Sequence, residues 1–203
     1  MKNKRHYYDG WLYEMLIDPA FSEIREIIIE QIEDNTKVLD IGCGTGALVL
    51  ALAFKCSQVT GVELSEKMIT LAQKRQKEKE ITNVDFIHTD ATKLPQFTDK
   101  YFDYAIISMV IHEMPPVLRV PVLTEAKRLA KKVILADYSI PQPFSLYGLR
   151  NRSAEFLAGR EHFRGFLDYN KNKGLQPLLD QSGLSILKSI DSRTKTIKIV
   201  IAD

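Results

Sequence analysis

Apolar positions along this chain fall into two alternating patterns. Short, nearly unbroken apolar runs trade places with longer stretches in which apolar residues recur at helical spacing, which predicts a sheet covered by helices. After a polar, aromatic-rich lead, Asp18 and Pro19 stand as N-cap and first residue of a helix that turns Phe21, Ile24, Ile27, Ile28 and Ile32 inward. Asn35 and Thr36 turn the chain into a buried strand over Lys37–Gly42, which runs into a glycine-rich loop and a helix over Ala47–Lys55. Val59–Glu63 reads as the second strand, and Ser65 as the N-cap of a charged helix reaching Lys79. Val84–His88 and Tyr101–Ser108 follow as the third and fourth strands. Pro115 and Pro116 open a helix that Pro121 kinks or restarts, and Lys132–Asp137 is the fifth strand. From Phe144 to Gly183 the pattern is helical but interrupted, with Gly174 and Gly183 as stops and Pro177 as a start. Leu184–Ile190 and Thr196–Ile201 alternate and close the chain as a β-hairpin. The fold class is therefore α/β: a doubly wound, mostly parallel sheet with helices on both faces.

Composition narrows this picture. A chain of 203 residues suits one core. With 45% hydrophobic and 27% charged residues it has the make-up of a folded protein. Lys and Arg number 28 against 26 for Asp and Glu, a net charge of +2, which supplies no broad field for nucleic acid or an anionic membrane. Cys43 and Cys56, the two cysteines, form no zinc-binding pair, and a reducing compartment is the expectation. The basic residues Lys2, Lys4 and Arg5 are followed by Tyr7, Tyr8 and Asp9 where a signal peptide needs an apolar core, so a cytoplasmic location is expected. The longest apolar stretches, Ala47–Phe54 and Tyr104–Ile111, fall short of the roughly 20 residues that span a bilayer, so no integral membrane association is expected. The oligomeric state stays open.

The most informative segment is Val38–Gly46, a strand that carries Asp40 and then passes through Gly42, Gly44 and Gly46. Glycines let backbone turn sharply and approach a ligand, and the following helix offers unpaired N–H groups. Gly42, Gly44 and Ala47 satisfy a dinucleotide fingerprint in form, yet Asp40 attracts an ammonium group and repels a pyrophosphate. Glu63, 17 residues after Gly46, is placed for the two hydroxyls of a ribose. Asp90, beyond the third strand, is placed to accept from the exocyclic amine of adenine.

In these residues the chain resembles the class I S-adenosylmethionine-dependent methyltransferases, in particular the group that includes quinone-biosynthesis and phospholipid N-methyltransferases. Val38–Gly46 matches the family's first motif, Val59–Leu64 its acidic second-strand end, Asp90 and Ala91 its adenine-side motif, and Phe102–Met114 its fourth-strand segment. The resemblance implies S-adenosylmethionine as cofactor, with S-adenosylhomocysteine as product. It implies contacts from Asp40, Gly42, Cys43, Gly44 and Gly46 to the methionine part, from Glu63 to the ribose, from Leu64 and Met68 to the faces of the adenine, and from Asp90 and Ala91 to its edge, with Ser108 at the fourth-strand end. It also implies a Rossmann-like seven-stranded sheet whose last strand is antiparallel, in agreement with the terminal hairpin. One methyltransferase domain over 1–203 is expected to comprise an N-terminal lid or helix (1–34), a cofactor-binding core (35–139), a helical cap-like insertion (140–183) and the hairpin (184–203). Met68 at helix spacing also suits a core position.

Methyl transfer needs the acceptor held in line with the S–CH₃ bond, and a dedicated catalytic group only where the acceptor must lose a proton. His112, just beyond the fourth strand with Glu113, is the candidate base; packing beneath that loop is the alternative. Tyr7, Tyr8, Trp11 and Tyr13 suit a lid over the site or a terminal helix packed on the core; Tyr8 and Tyr13 are carried as substrate candidates. Phe163, Arg164 and Tyr169, in the cap-like stretch, are candidate acceptor contacts. Cys43 lacks a neighbouring base and is assigned no catalysis. Ser108, Met109 and Val110 stand where methyltransferases of DNA-base amines carry a Pro-Pro-aromatic motif, so a small-molecule acceptor is favoured and no nucleic-acid partner is expected. The alternatives are lipid-headgroup N-methylation, an NAD(P)-dependent oxidoreductase and a non-catalytic cofactor-binding module.

Overall fold

The computed structural model describes residues 21–143 and 160–203. α1 (Ser22–Glu30) leads through Asn35, at φ 58°, into β1 (Lys37–Ile41). There follow α2 (Ala47–Leu52), β2 (Gln58–Glu63), α3 (Glu66–Glu78), β3 (Val84–His88) and β4 (Phe102–Ser108). A 3₁₀ turn (Ile111–Glu113) then precedes α4 (Pro116–Leu129), β5 (Ala130–Tyr138), α5 (Arg160–Lys171), α6 (Leu175–Ser182), β6 (Ile186–Asp191) and β7 (Ile197–Ala202).

Seven strands form one sheet in the order β3-β2-β1-β4-β5-β7-β6. The first five pair in parallel, with Val38 of β1 opposite Val59 of β2 and Tyr104 of β4. β7 runs antiparallel to both β5 and β6, so the antiparallel last strand expected from the sequence is present. Val38, Leu39 and Ile41 on β1 and Ala105, Ile106 and Ile107 on β4 are all buried, as a sheet covered on both faces requires. The chain crosses the sheet one way from β1 to β3 and the other way from β4 to β5. Parallel crossovers are right-handed, so α2 and α3 fall on one face and α4 on the other. The order reverses between β1 and β4, and a crevice opens beyond their C-terminal ends, the place where such sheets take ligands.

Three local expectations change. α2 stops at Leu52, whose carbonyl accepts from the amides of Lys55 and Cys56 in a closing turn. α4 does not restart at Pro121 but runs through it. Proline there removes one bond, to the carbonyl of the exposed Val117, while Val122, Leu123, Ala126 and Leu129 hold the helix on the sheet. Gly174 follows the end of α5 and also opens α6: its N–H closes on Tyr169 O at 3.0 Å, α6 starts at the next residue, and Pro177 lies within its first turn. Asp18 and Pro19 lie outside the described residues. Among the described residues no helix is long and apolar enough to cross a membrane, and no group of three or more His, Cys, Asp or Glu is placed to hold a metal.

Candidate cofactor site

The glycine loop is folded back on β2: the amides of Gly42 and Cys43 both donate to Val62 O, at 2.8 and 3.1 Å. Gly42, Gly44 and Gly46 take φ of 75°, 53° and 78°. At Gly42 the space is taken as well, since an added Cβ would stand 2.7 Å from Val110 Cγ2; the loop after β1 therefore touches the loop after β4. Glu63, at the end of β2, accepts from Gly44 N at 3.2 Å and from Ser65 N at 2.8 Å. One carboxylate thus ties the glycine loop to the start of α3, which Ser65 caps by accepting from Met68 N. From α3, Arg75 Nη1 reaches back to Thr45 Oγ1 at 2.7 Å and fixes the loop from its far side.

Between the ends of β1 and β4 lies a shallow cleft open to solvent. Of the residues expected at the cofactor, Asp40, Gly42, Cys43, Gly44 and Ser108 line it. Asp40 is only 3% exposed, and no donor among the described residues reaches its carboxylate. Burial first, and then the charge of nearby Glu63, push its pKa up to about 7. Burial also raises Glu63, against the pull of its backbone donors. A buried, unbonded carboxyl group on a cleft wall is unfavourable by itself and is relieved by a cation. Arg25 of α1 lines the same cleft, so an acid and a guanidinium face one space, a donor set that fits the ammonium and carboxylate of an α-amino acid. The Cys43 thiol is pushed well up by burial and stays protonated.

The remaining candidates lie apart from the cleft wall. Leu64 is partly exposed and its carbonyl faces His88 Nε2 at 3.0 Å. Met68 is buried in α3. Asp90 is exposed and caps Thr92 N at 2.9 Å, with Ala91 half-buried beside it. These four stand toward β3, two strands from β1, on the side where a group bound at Glu63 would continue. Gly46 is the left-handed N-cap of α2. His112 is buried and its Nδ1 lies 2.7 Å from Asp137 Oδ1. Phe163 packs against the core and Arg164 is exposed. Tyr169 is fully buried with its hydroxyl donating to Tyr138 O, so it serves packing and not an acceptor surface. Tyr8 and Tyr13 lie outside the described residues. The sequence reading missed Phe21, Arg25 and Met109 on the cleft wall and Asp137 behind His112. A signal existed for Arg25: it is a cation one residue from the inward Ile24, on the helix that precedes the strand carrying Asp40.

A family described as a methyltransferase domain matches residues 38–133. The chain is similar to a demethylmenaquinone methyltransferase of Bacillus velezensis, 30% identical over 135 residues that cover 64% of this chain and 54% of that protein. It is also similar to an (S)-tetrahydroprotoberberine N-methyltransferase of Eschscholzia californica, 39% identical over 102 residues, 48% of this chain and 29% of that one. The chain spans about half the length, or less, of these curated relatives. Among solved structures, a SAM-dependent methyltransferase from Aquifex aeolicus superposes with a TM-score of 0.71 at 19% identity, covering 96% of this chain and 98% of that one, which shows the shared fold.

Proposed function

We propose that this chain, a member of the class I S-adenosylmethionine-dependent methyltransferases, moves the methyl group of that cofactor to an O, N or C atom of a small molecule. The observation that carries the reading is Asp40, a buried carboxyl group without a donor among the described residues, on the wall of a cleft at the switch point of the sheet. The cofactor, when bound, supplies an electrophilic methyl group on a sulfonium. In this reading Asp40 and Arg25 hold its amino acid end, the glycine loop gives its chain room, and Glu63 accepts from the ribose hydroxyls with the lone pairs its backbone donors leave. Leu64, Met68, Asp90 and Ala91 frame the adenine. Segment 35–139 is then the cofactor core. The acceptors named for the relatives, demethylmenaquinone and (S)-tetrahydroprotoberberine, support a small-molecule acceptor that carries a ring system. Oxidoreductase chemistry would place a pyrophosphate against Asp40, which the buried acid opposes.

The test is calorimetric titration with S-adenosylhomocysteine, with NAD as a parallel ligand and Glu63→Ala as control. Micromolar binding of S-adenosylhomocysteine that weakens at least tenfold in the variant, with no heat from NAD, is the expected result. Heat from NAD alone would overturn the reading.

A further inference from the structure

α3 presents one face to the glycine loop. Ala72 is buried against it, and a Cβ added at Gly46 would stand 3.0 Å from Ala72 Cβ. One turn further along, on the same face of the helix, Arg75 reaches Thr45: its Nη1 donates to Oγ1 at 2.7 Å and to the carbonyl at 3.1 Å. Thr45 is 2% exposed and lines the cleft with Asp40 and Gly44. The bonding of α2 begins with Leu50 N to Gly46 O at 2.9 Å, so Thr45 O stands just outside the helix and takes its donor from Arg75. α3 is itself fastened at both ends. Ser65 N donates to Glu63 Oε1 at 2.8 Å before its first turn, and Gln76 Nε2 donates to Ile81 O and Val84 O at 3.1 and 2.8 Å near its last.

The loop needs such a hold. Gly42, Gly44 and Gly46 all take positive φ, and glycine gives up more conformational freedom than any other residue when it is ordered. Among the described residues no atom stands within 4 Å of the place a Cβ on Gly44 would take, so packing does not restrain the middle of the loop. The Gly44 amide is held by Glu63 at 3.2 Å, and that carboxylate is divided between Gly44 and Ser65. A charged donor shared by two oxygens of the next residue is a stronger tie than one neutral hydrogen bond. A loop ordered in advance spares the ligand the cost of ordering it. One that is competent only part of the time weakens binding by that fraction.

We propose that Arg75 is a positioning residue for the cofactor: through Thr45 it holds the glycine loop in the shape that receives the amino acid end. This rests on the methyltransferase reading above and deepens it, because α3 then serves both halves of one ligand. Its start, where Ser65 is tied to Glu63, stands by the nucleoside, and its third turn, at Arg75, sets the loop beneath the amino acid group. Affinity for the two halves is thereby assigned to different residues of the same helix. Arg75 acts on the ligand only through Thr45, so its loss removes affinity for the amino acid end and leaves the adenosine end as it was.

Titration calorimetry with two ligands tests this: S-adenosylhomocysteine, which has both halves, and 5′-methylthioadenosine, which keeps the adenosine and lacks the amino acid group. In Arg75→Met, affinity for S-adenosylhomocysteine is expected to fall about 10–30-fold and affinity for 5′-methylthioadenosine to change by less than about twofold. Arg75→Lys, which restores one charged donor, is expected to recover part of the loss. Thr45→Val, which removes Oγ1 and keeps the shape of the side chain, is expected to weaken S-adenosylhomocysteine about 3–10-fold, and to cost less than about twofold more when added to Arg75→Met, since both changes break one contact. It carries the two-ligand comparison alone if Arg75→Met does not fold. Amide exchange over 43–46, read by NMR, is expected to quicken in ligand-free Arg75→Met and to return to the wild-type rate at saturating S-adenosylhomocysteine. Equal weakening of both ligands, an unchanged affinity for S-adenosylhomocysteine, full additivity of the two substitutions, or unchanged loop exchange would each overturn the proposal, as would a wild-type protein that binds S-adenosylhomocysteine and not 5′-methylthioadenosine. Failure of S-adenosylhomocysteine to bind the wild type would instead overturn the methyltransferase reading.

Discussion

Asp40 concentrates the electrostatics of the cleft in one side chain. Its pKa rises from 3.8 to about 7, chiefly through burial, so the free protein keeps a proton that the unfolded chain releases. The sign follows: the stability linked to this group is complete below pH 3.8 and is lost as pH rises through about 7. Asp40→Asn removes the loss, and chemical denaturation at pH 8 is expected to show the ligand-free variant more stable by on the order of 2 kcal/mol. Cofactor affinity runs the opposite way, because an ammonium group needs the ionised acid. S-adenosylhomocysteine affinity is expected to weaken about tenfold per pH unit below 7 and to level off above it. In Asp40→Asn the slope disappears and affinity at pH 8 falls by about 30-fold or more. A wild-type affinity that stays flat between pH 5 and 8 would contradict this account.

At the scale of elements, α4 carries two features that sequence patterns handle unequally. Pro121 is exposed in mid-helix and forfeits a backbone bond, so Pro121→Ala is expected to stabilise the fold by about 1–2 kcal/mol in denaturant titration without altering ligand binding. Arg119, two residues earlier, is the clamp between α4, the turn at His112 and α5. Arg119→Met is expected to cost about 2–4 kcal/mol, mostly from orphaned carbonyl groups and least from the partly exposed Asp168. Hydrogen exchange across 163–171 should quicken in that variant before exchange in β1 does. Periodicity located β3 to the residue and the cap of α3 at Ser65, because both are written in adjacent residues. It did not show that α4 continues through Pro121, since what overrides the proline is burial of Val122, Leu123, Ala126 and Leu129 against strands distant in sequence. Arg119 gave no signal either: a basic residue in an amphipathic helix reads as solvated until its partners at 112, 165 and 168 are folded around it.

For the whole molecule, topology decides where ligand binding acts. The glycine loop and Asp40 were legible because a strand, an acid and three glycines fall within nine consecutive residues, Val38–Gly46. The opposite wall was not, because Phe21 and Arg25 arrive from α1 and Met109 from the end of β4, and only the reversal of strand order brings them together. A ligand in that cleft therefore bridges three segments, α1, the glycine loop and the end of β4. Binding to the folded chain alone adds RT ln(1 + [L]/Kd), about 2.7 kcal/mol at a concentration of 100 Kd. For a domain of this size that corresponds to an upward shift in Tm of about 5–10 °C with S-adenosylhomocysteine and none with NAD. Because the stabilisation is linked to Asp40, the shift should be larger at pH 8 than at pH 6 at one fixed ligand concentration, and should lose that difference in Asp40→Asn. A Tm shift of equal size at both pH values in the wild type would separate ligand binding from Asp40 and leave Arg25 and Glu63 as the groups that hold the cofactor.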